Sequence, residues 1–149
     1  MYDPILVPID GAPISDRSRR EAILLAQALG SRIHFLHVVD PRLLFAEVTS
    51  KADPQTLLDT WRAGGERLVA QAVAAAKAAG VGADGVVHCD PGMRICDEIL
   101  AEAERSGAGL IVIGTHGRTG VGRLWLGSNA EYVLRVSPIP VLVIRMPSH

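Results

Sequence analysis

The sequence has few aromatics, few cysteines and little net charge, and it lacks long apolar runs. Phe, Tyr and Trp together make up 4% of the 149 residues, too few for a platform on which nucleic-acid bases could stack. Fifteen Lys and Arg against sixteen Asp and Glu leave a net charge of −1, which excludes broad binding to nucleic acid or to an anionic membrane through counterion release. The only lysines are Lys51 and Lys77, so arginine carries nearly all the positive charge. Cys89 and Cys96 are too few for a disulfide framework, and no His or Cys stands near them at ligand spacing, so both read as buried thiols rather than zinc ligands. Apolar runs such as Leu110–Ile113 fall far short of the ~20 residues that span a bilayer. Met1-Tyr2-Asp3-Pro4 opens no basic-then-apolar leader, and a cytoplasmic location is the expectation.

What is present suits a packed α/β domain. Hydrophobic residues make up 48% and charged residues 21%, the balance of a chain with a real core, and one domain is expected over residues 1–149. Short apolar runs alternate with longer amphipathic stretches. Ile5–Ile9, Arg32–Val39, Gly85–Cys89, Leu110–Ile113 and Val141–Ile144 read as strands. Ser15 reads as the N-cap of a helix ending at Gly30, and Pro54 opens a long helix that Gly64-Gly65 could bend or interrupt. Asp90-Pro91 reads as the start of a helix running to about Arg105, and Ser128 with Glu131 as a capping box opening the last one. Five strands separated by helices imply a mostly parallel sheet covered on both faces.

Ligands of open α/β sheets bind outside the carboxyl ends of the strands, where the strand order reverses. Two such ends carry unusual residues here. One is Pro8-Ile9-Asp10-Gly11-Ala12-Pro13, and the other is the stretch from Gly114 to Arg123, with glycines at 114, 117, 120 and 122. Clustered glycines permit close backbone approach to a ligand, and Gly127-Ser128 opens a helix whose N–H groups suit an anion. Known phosphate-loop patterns fail. Gly117 to Gly122 has P-loop spacing, but Arg123-Leu124 replaces the Lys and the hydroxyl residue. Gly120-Val121-Gly122 likewise lacks the last glycine of the dinucleotide pattern.

The pattern that does fit is Gly114-x2-Gly117-x9-Gly127-Ser128. With Ile5–Gly11, His37-Val38-Val39-Asp40, Gly114–Gly120, Leu126-Gly127-Ser128 and Pro140–Ile144 in that order, the chain resembles the universal stress protein family, in its ATP-binding branch, over essentially its whole length. The resemblance implies an α/β fold with an open five-stranded parallel sheet of order 3-2-1-4-5 and helices on both faces, Rossmann-like and of the adenine-nucleotide alpha-hydrolase type. It implies that Asp10 and the main chain at Val38 hold the adenine and ribose end, with Pro8 shaping the turn. Gly114, Thr115, His116, Gly117, Arg118, Gly127, Ser128 and Asn129 would line the ribose and triphosphate path. ATP, with Mg²⁺, is the implied ligand. Two departures stand out: Ala12 replaces a frequent Ser, and Asn129 replaces a small apolar residue.

Simpler roles compete at each position. Ser128 can be a helix cap, Asp10 a turn-former before Gly11, His116 a solvated loop residue, and Arg118 and Arg123 solvated charges. His34, His37 and His88, with no carboxylate near them in sequence, read as structural. No catalytic set is evident, so the expected role is binding and signalling rather than fast turnover. Slow ATP hydrolysis, or binding of AMP or cyclic AMP by the same fold, is the alternative. Pyrophosphate-releasing enzymes with a similar sheet carry Ser-Gly-Gly-x-Asp-Ser after strand one, whereas this chain carries Asp10-Gly11-Ala12-Pro13-Ile14-Ser15 there. Val141–Ile144, an apolar strand expected at the sheet edge, suggests a homodimer paired through it. Neither nucleic acid nor membrane is expected as a partner.

Overall fold

The computed structural model describes residues 1–40, 53–115 and 127–145. In chain order the elements are β1 (Ile5–Pro8), α1 (Pro13–Leu29), β2 (Ile33–Val38), α2 (Pro54–Ala78), β3 (Ala83–His88), α3 (Ile95–Ser106), β4 (Leu110–Gly114), α4 (Ser128–Val136) and β5 (Val141–Ile144). All four strand pairings are parallel, and the sheet order is β3-β2-β1-β4-β5. This is the open α/β architecture and strand order expected. The reversal falls between β1 and β4, so the carboxyl ends of these two strands lie side by side.

A parallel sheet with helices on both sides has no wet face, which is why its central strands are apolar at successive positions instead of alternating. Ile5, Leu6 and Val7 of β1 are fully buried. Val7, Phe35 and Val112 pack on one face with Ala22 and Ala26 of α1 and Val69 and Ala76 of α2. Leu6, Leu36 and Ile111 pack on the other with Ile99 and Ala103 of α3 and Val133 of α4. Each fully buried aliphatic side chain of this kind contributes about 1.5–3 kcal/mol of transfer free energy.

Several local expectations are corrected. Helix α1 begins at Pro13, before Ser15, because a proline fits the first helical turn; its N-cap is Ala12, without a side-chain bond. Helix α2 runs unbroken through Gly64-Gly65. A Cβ at Gly65 would lie 2.5 Å from the His37 ring, so this glycine allows α2 to press on β2 and does not interrupt the helix. Asp90-Pro91 does not open α3. It forms a turn in which the Asp90 carboxylate accepts the Gly92 N–H at 2.9 Å and the Asp90 carbonyl accepts that of Met93 at 3.1 Å. The helix starts at Ile95, with Arg94 as N-cap. The capping box of α4 does not form, because Gly127 is the N-cap and Ser128 is already helical. Cys96 is buried but Cys89 only half-buried, and both are free thiols. His34 and His88 do have carboxylate partners, supplied from distant parts of the chain.

Candidate functional site

The end of β1 is held in a defined shape by its own side chains. The Ile9 N–H donates to the Leu36 carbonyl at 2.8 Å, and the His37 ring bonds the Ile9 carbonyl through Nδ1 at 2.8 Å. Gly11 then takes φ +82°, a left-handed conformation that glycine adopts without strain. One oxygen of Asp10 accepts the Ala12 N–H at 2.9 Å, closing an Asx turn. Ser15 Oγ accepts the Asp10 N–H at 3.0 Å. These bonds fix the loop and, among the described residues, leave the second Asp10 oxygen and the Ser15 hydroxyl proton without a partner.

Opposite this loop, β4 ends at Gly114, where α1 crosses close. A Cβ there would sit 2.7 Å from Ile14 and 3.0 Å from Ser18 Oγ, so only glycine lets helix and strand meet without displacement. Thr115 turns away from the gap. Its N–H donates to the Ile144 carbonyl at 2.9 Å, and the residue is 2% exposed. Helix α4 begins in the same region. The first-turn N–H groups of any α-helix lack intrahelical acceptors, and neither α1 nor α4 supplies a side-chain cap for them. By contrast α2 is capped by Asp53, which accepts from Gln55.

Between the loop after β1, the end of β4 and the start of α4 lies a cavity of about 140 Å³. Pro8, Asp10, Val38, Gly114, Gly127, Ser128 and Asn129, all expected from the sequence, line it together. Thr115 is not in the lining, and His116, Gly117, Arg118 and Arg123 lie outside the described residues. Sequence reasoning missed Ser15 and Ser18 as lining residues, and also the apolar wall of Leu36, Ile95, Ile99 and Ile113. Their only signal was membership of an amphipathic helix or an apolar strand, which says buried without saying against what.

The chemistry divides into two halves. The apolar wall suits a flat, weakly polar ring system. The starts of α1 and α4, with the Ser15 and Ser128 hydroxyls and the Asn129 amide, form a donor-rich rim suited to hydroxyls and phosphate. The residues present therefore fit an adenine nucleotide, whose base and phosphates want these two environments. A neighbouring cleft of about 460 Å³ shares Ile95, Ser128 and Asn129 and is bordered by Arg94. The Arg94 guanidinium lies 4.7 Å from the Tyr132 ring centre and binds Asp97 at 2.8 and 3.3 Å. That bond holds the Asp97 carboxyl below its ordinary range. Among the described residues no group of three His, Cys, Asp or Glu could hold a metal ion, and no helix is long and apolar enough to cross a membrane.

Comparison with known proteins agrees with this geometry. The model of the universal stress protein family matches residues 1–145. A universal stress protein of Methanocaldococcus jannaschii is 29% identical over 99% of this chain and 84% of its own length. The crystal structure of a family member from Burkholderia pseudomallei is 30% identical, covers 96% of both chains and superposes with a TM-score of 0.78. A universal stress protein crystallised in complex with cAMP is 25% identical, covers 97% of both chains and gives a TM-score of 0.70. A match over nearly the whole chain, on a sheet whose order reverses between β1 and β4, leaves one conclusion: the chain belongs to the universal stress protein family.

Proposed function

We propose that the chain binds an adenine nucleotide in the cavity between the β1 and β4 loops and acts by binding and signalling rather than by rapid catalysis. The observation that carries the reading is the meeting of two uncapped helix starts, α1 and α4, over an apolar wall beside Asp10. ATP with Mg²⁺ is the preferred ligand. Its phosphates would follow the rim from Gly114 toward Gly127, Ser128 and Asn129, and continue along the glycine-rich stretch with His116, Gly117 and Arg118. A second reading, cyclic AMP or AMP in the same cavity, is favoured by the relative crystallised with cAMP.

The proposal includes a cytoplasmic homodimer paired through Val141–Ile144. In support, β5 pairs only with β4 among the described strands, and Leu142 is 39% exposed. An unpaired apolar edge is a liability that a second copy removes.

A thermal-shift series with ATP, ADP, AMP and cyclic AMP, each with and without Mg²⁺, tests the reading. A ligand at 100 times its Kd stabilises the fold by about 2.7 kcal/mol, a shift easily seen. Silence with all four nucleotides would end the proposal, and a larger response to cyclic AMP than to ATP would select the second reading. Gly127→Val should abolish the response and keep the fold. Sedimentation showing only monomer at micromolar concentration would remove the dimer.

A further inference from the structure

At its other end β2 borders a second cleft, of about 510 Å³, lined by Arg32, His34, Asp84, Glu102 and Arg105. Glu102, on α3, is 6% exposed. One of its oxygens meets His34 Nε2 at 2.7 Å; the other meets His88 Nε2 at 2.7 Å and Arg105 Nε at 2.8 Å. The second ring nitrogen of His34 meets the Asp84 carboxylate at 2.6 Å. Ionised carboxylates only accept hydrogen bonds, so both ring nitrogens of His34 donate, and a ring with two N–H groups is an imidazolium. The charged and titratable groups around it are Asp84 and His88 from β3, Glu98, Glu102 and Arg105 from α3, and Arg32 at the rim, which is engaged with Asp3. Arg105 also holds the buried Glu98 at 2.6 Å.

This cluster and the nucleotide cavity share one strand and one helix. Leu36 and Val38 of β2 face Ile95 and Ile99 of α3 in the cavity. On the same two elements, His34 and Glu102 face each other in the cleft. Glu102 follows Ile99 by three positions and Ile95 by seven, so all three lie on one face of α3. We propose that Glu102, bonded to His34 and His88, is a positioning residue that seats α3 on β2, and that deprotonation of His34 loosens this wall and weakens ligand binding in the cavity. For its ligand the inference rests on the adenine-nucleotide reading above; the seating of α3 does not.

The direction with pH follows from the bonds. Burial disfavours the charged His34 ring, but the hydrogen bonds to Asp84 and Glu102 outweigh it and raise His34 above its ordinary range. Burial likewise disfavours the charged Glu102, but the bonds from His34, Arg105 and His88 outweigh it and hold the carboxyl below its ordinary range. The tether is therefore complete from mildly acid to neutral pH and is weakened as pH rises through the raised value of His34, because the neutral ring has lost its charge and keeps one N–H, which cannot serve Asp84 and Glu102 together.

The test uses cyclic AMP, whose diester phosphate does not titrate near neutrality. Its Kd is measured from pH 6 to 9 alongside amide hydrogen exchange of Ile95–Ala103 in the unliganded protein, corrected for intrinsic exchange. In the wild type, Kd should rise about 5-fold toward alkaline pH while exchange in α3 accelerates. In His34→Gln both profiles should be flat, with Kd near the alkaline wild-type value. The exposed Asp84→Asn should keep the profile but move its midpoint to lower pH, and it serves if His34→Gln fails to fold. A pH-independent α3 in the wild type, or an unchanged profile in His34→Gln, would overturn the inference. Exchange that responds to pH while cyclic AMP and the other adenine nucleotides fail to bind would support the seating of α3 and reject the ligand assignment.

Discussion

The two ends of β2 border clefts of opposite character. At the Val38 end, the smaller cavity of about 140 Å³ is rimmed by helix starts without caps and by a Ser128 hydroxyl with no bond to a described residue. At the His34 end, the larger cleft of about 510 Å³ is built from ion pairs in which His34, Asp84, Glu102 and Arg105 satisfy one another. Volume alone would choose the wrong one. Donors without protein partners are open to a ligand, whereas donors already paired are not, and this favours the smaller cavity as the proposed binding site.

If that contrast is sound, the paired cleft should break most severely. Glu102→Ala leaves His34, His88 and Arg105 without their shared acceptor, and urea denaturation should show a loss of about 3 kcal/mol. A loss below about 1 kcal/mol would mean the cleft is solvated rather than closed on itself. At the open end, Gly114→Val drives a side chain into Ile14 and Ser18, for a loss of about 2 kcal/mol in the same measurement. Stability toward alkaline pH should fall as His34 loses its proton, because a raised histidine stabilises the fold only while protonated. In His34→Gln the alkaline limb of a plot of urea midpoint against pH should flatten; an unaltered limb would assign it to other groups.

Smaller effects sharpen the comparison at the helix starts. Asp53→Ala removes a working cap from α2 and should cost about 1 kcal/mol by thermal unfolding. Ser128→Ala, at a helix start with no side-chain cap, should leave the stability of the free protein within about 0.5 kcal/mol of the wild type while reducing the nucleotide-induced thermal shift. Equal losses from the two substitutions would show that Ser128 serves the helix and not a ligand.

Strand β4 was legible in the sequence because a doubly covered parallel strand demands apolar residues at every position, and Leu110–Ile113 meets that demand; Val141–Ile144 was legible by the same apolar run, although β5 lies at the sheet edge and is only partly buried. Gly30 was legible as the end of α1 because few other residues accept its φ of +70°. Helix starts were less so. Asp90 and Ser128 are good cap residues by type, yet Asp90 closes a turn and Ser128 falls one place inside its helix. Capping depends on backbone angles that residue type alone does not impose. Among the site residues, Asp10 and Gly127 carried a local signal. Ser15 did not, since its bond to the Asp10 N–H depends on how the turn between them folds back. The partnership of His34 with Glu102 spans 68 residues of sequence, and no local pattern could announce it.

By itself the sequence determined the succession of strands and helices, the positions of the two glycine-bearing loops and the absence of broad surface charge, because these depend on hydrophobic period, backbone freedom and composition. Only the tertiary structure decided which helix starts stay uncapped, which apolar side chains become the wall of a cavity, and where the buried histidines find their carboxylates. Those are relations between segments brought together by the strand order, and their energies depend on distances that no single segment contains.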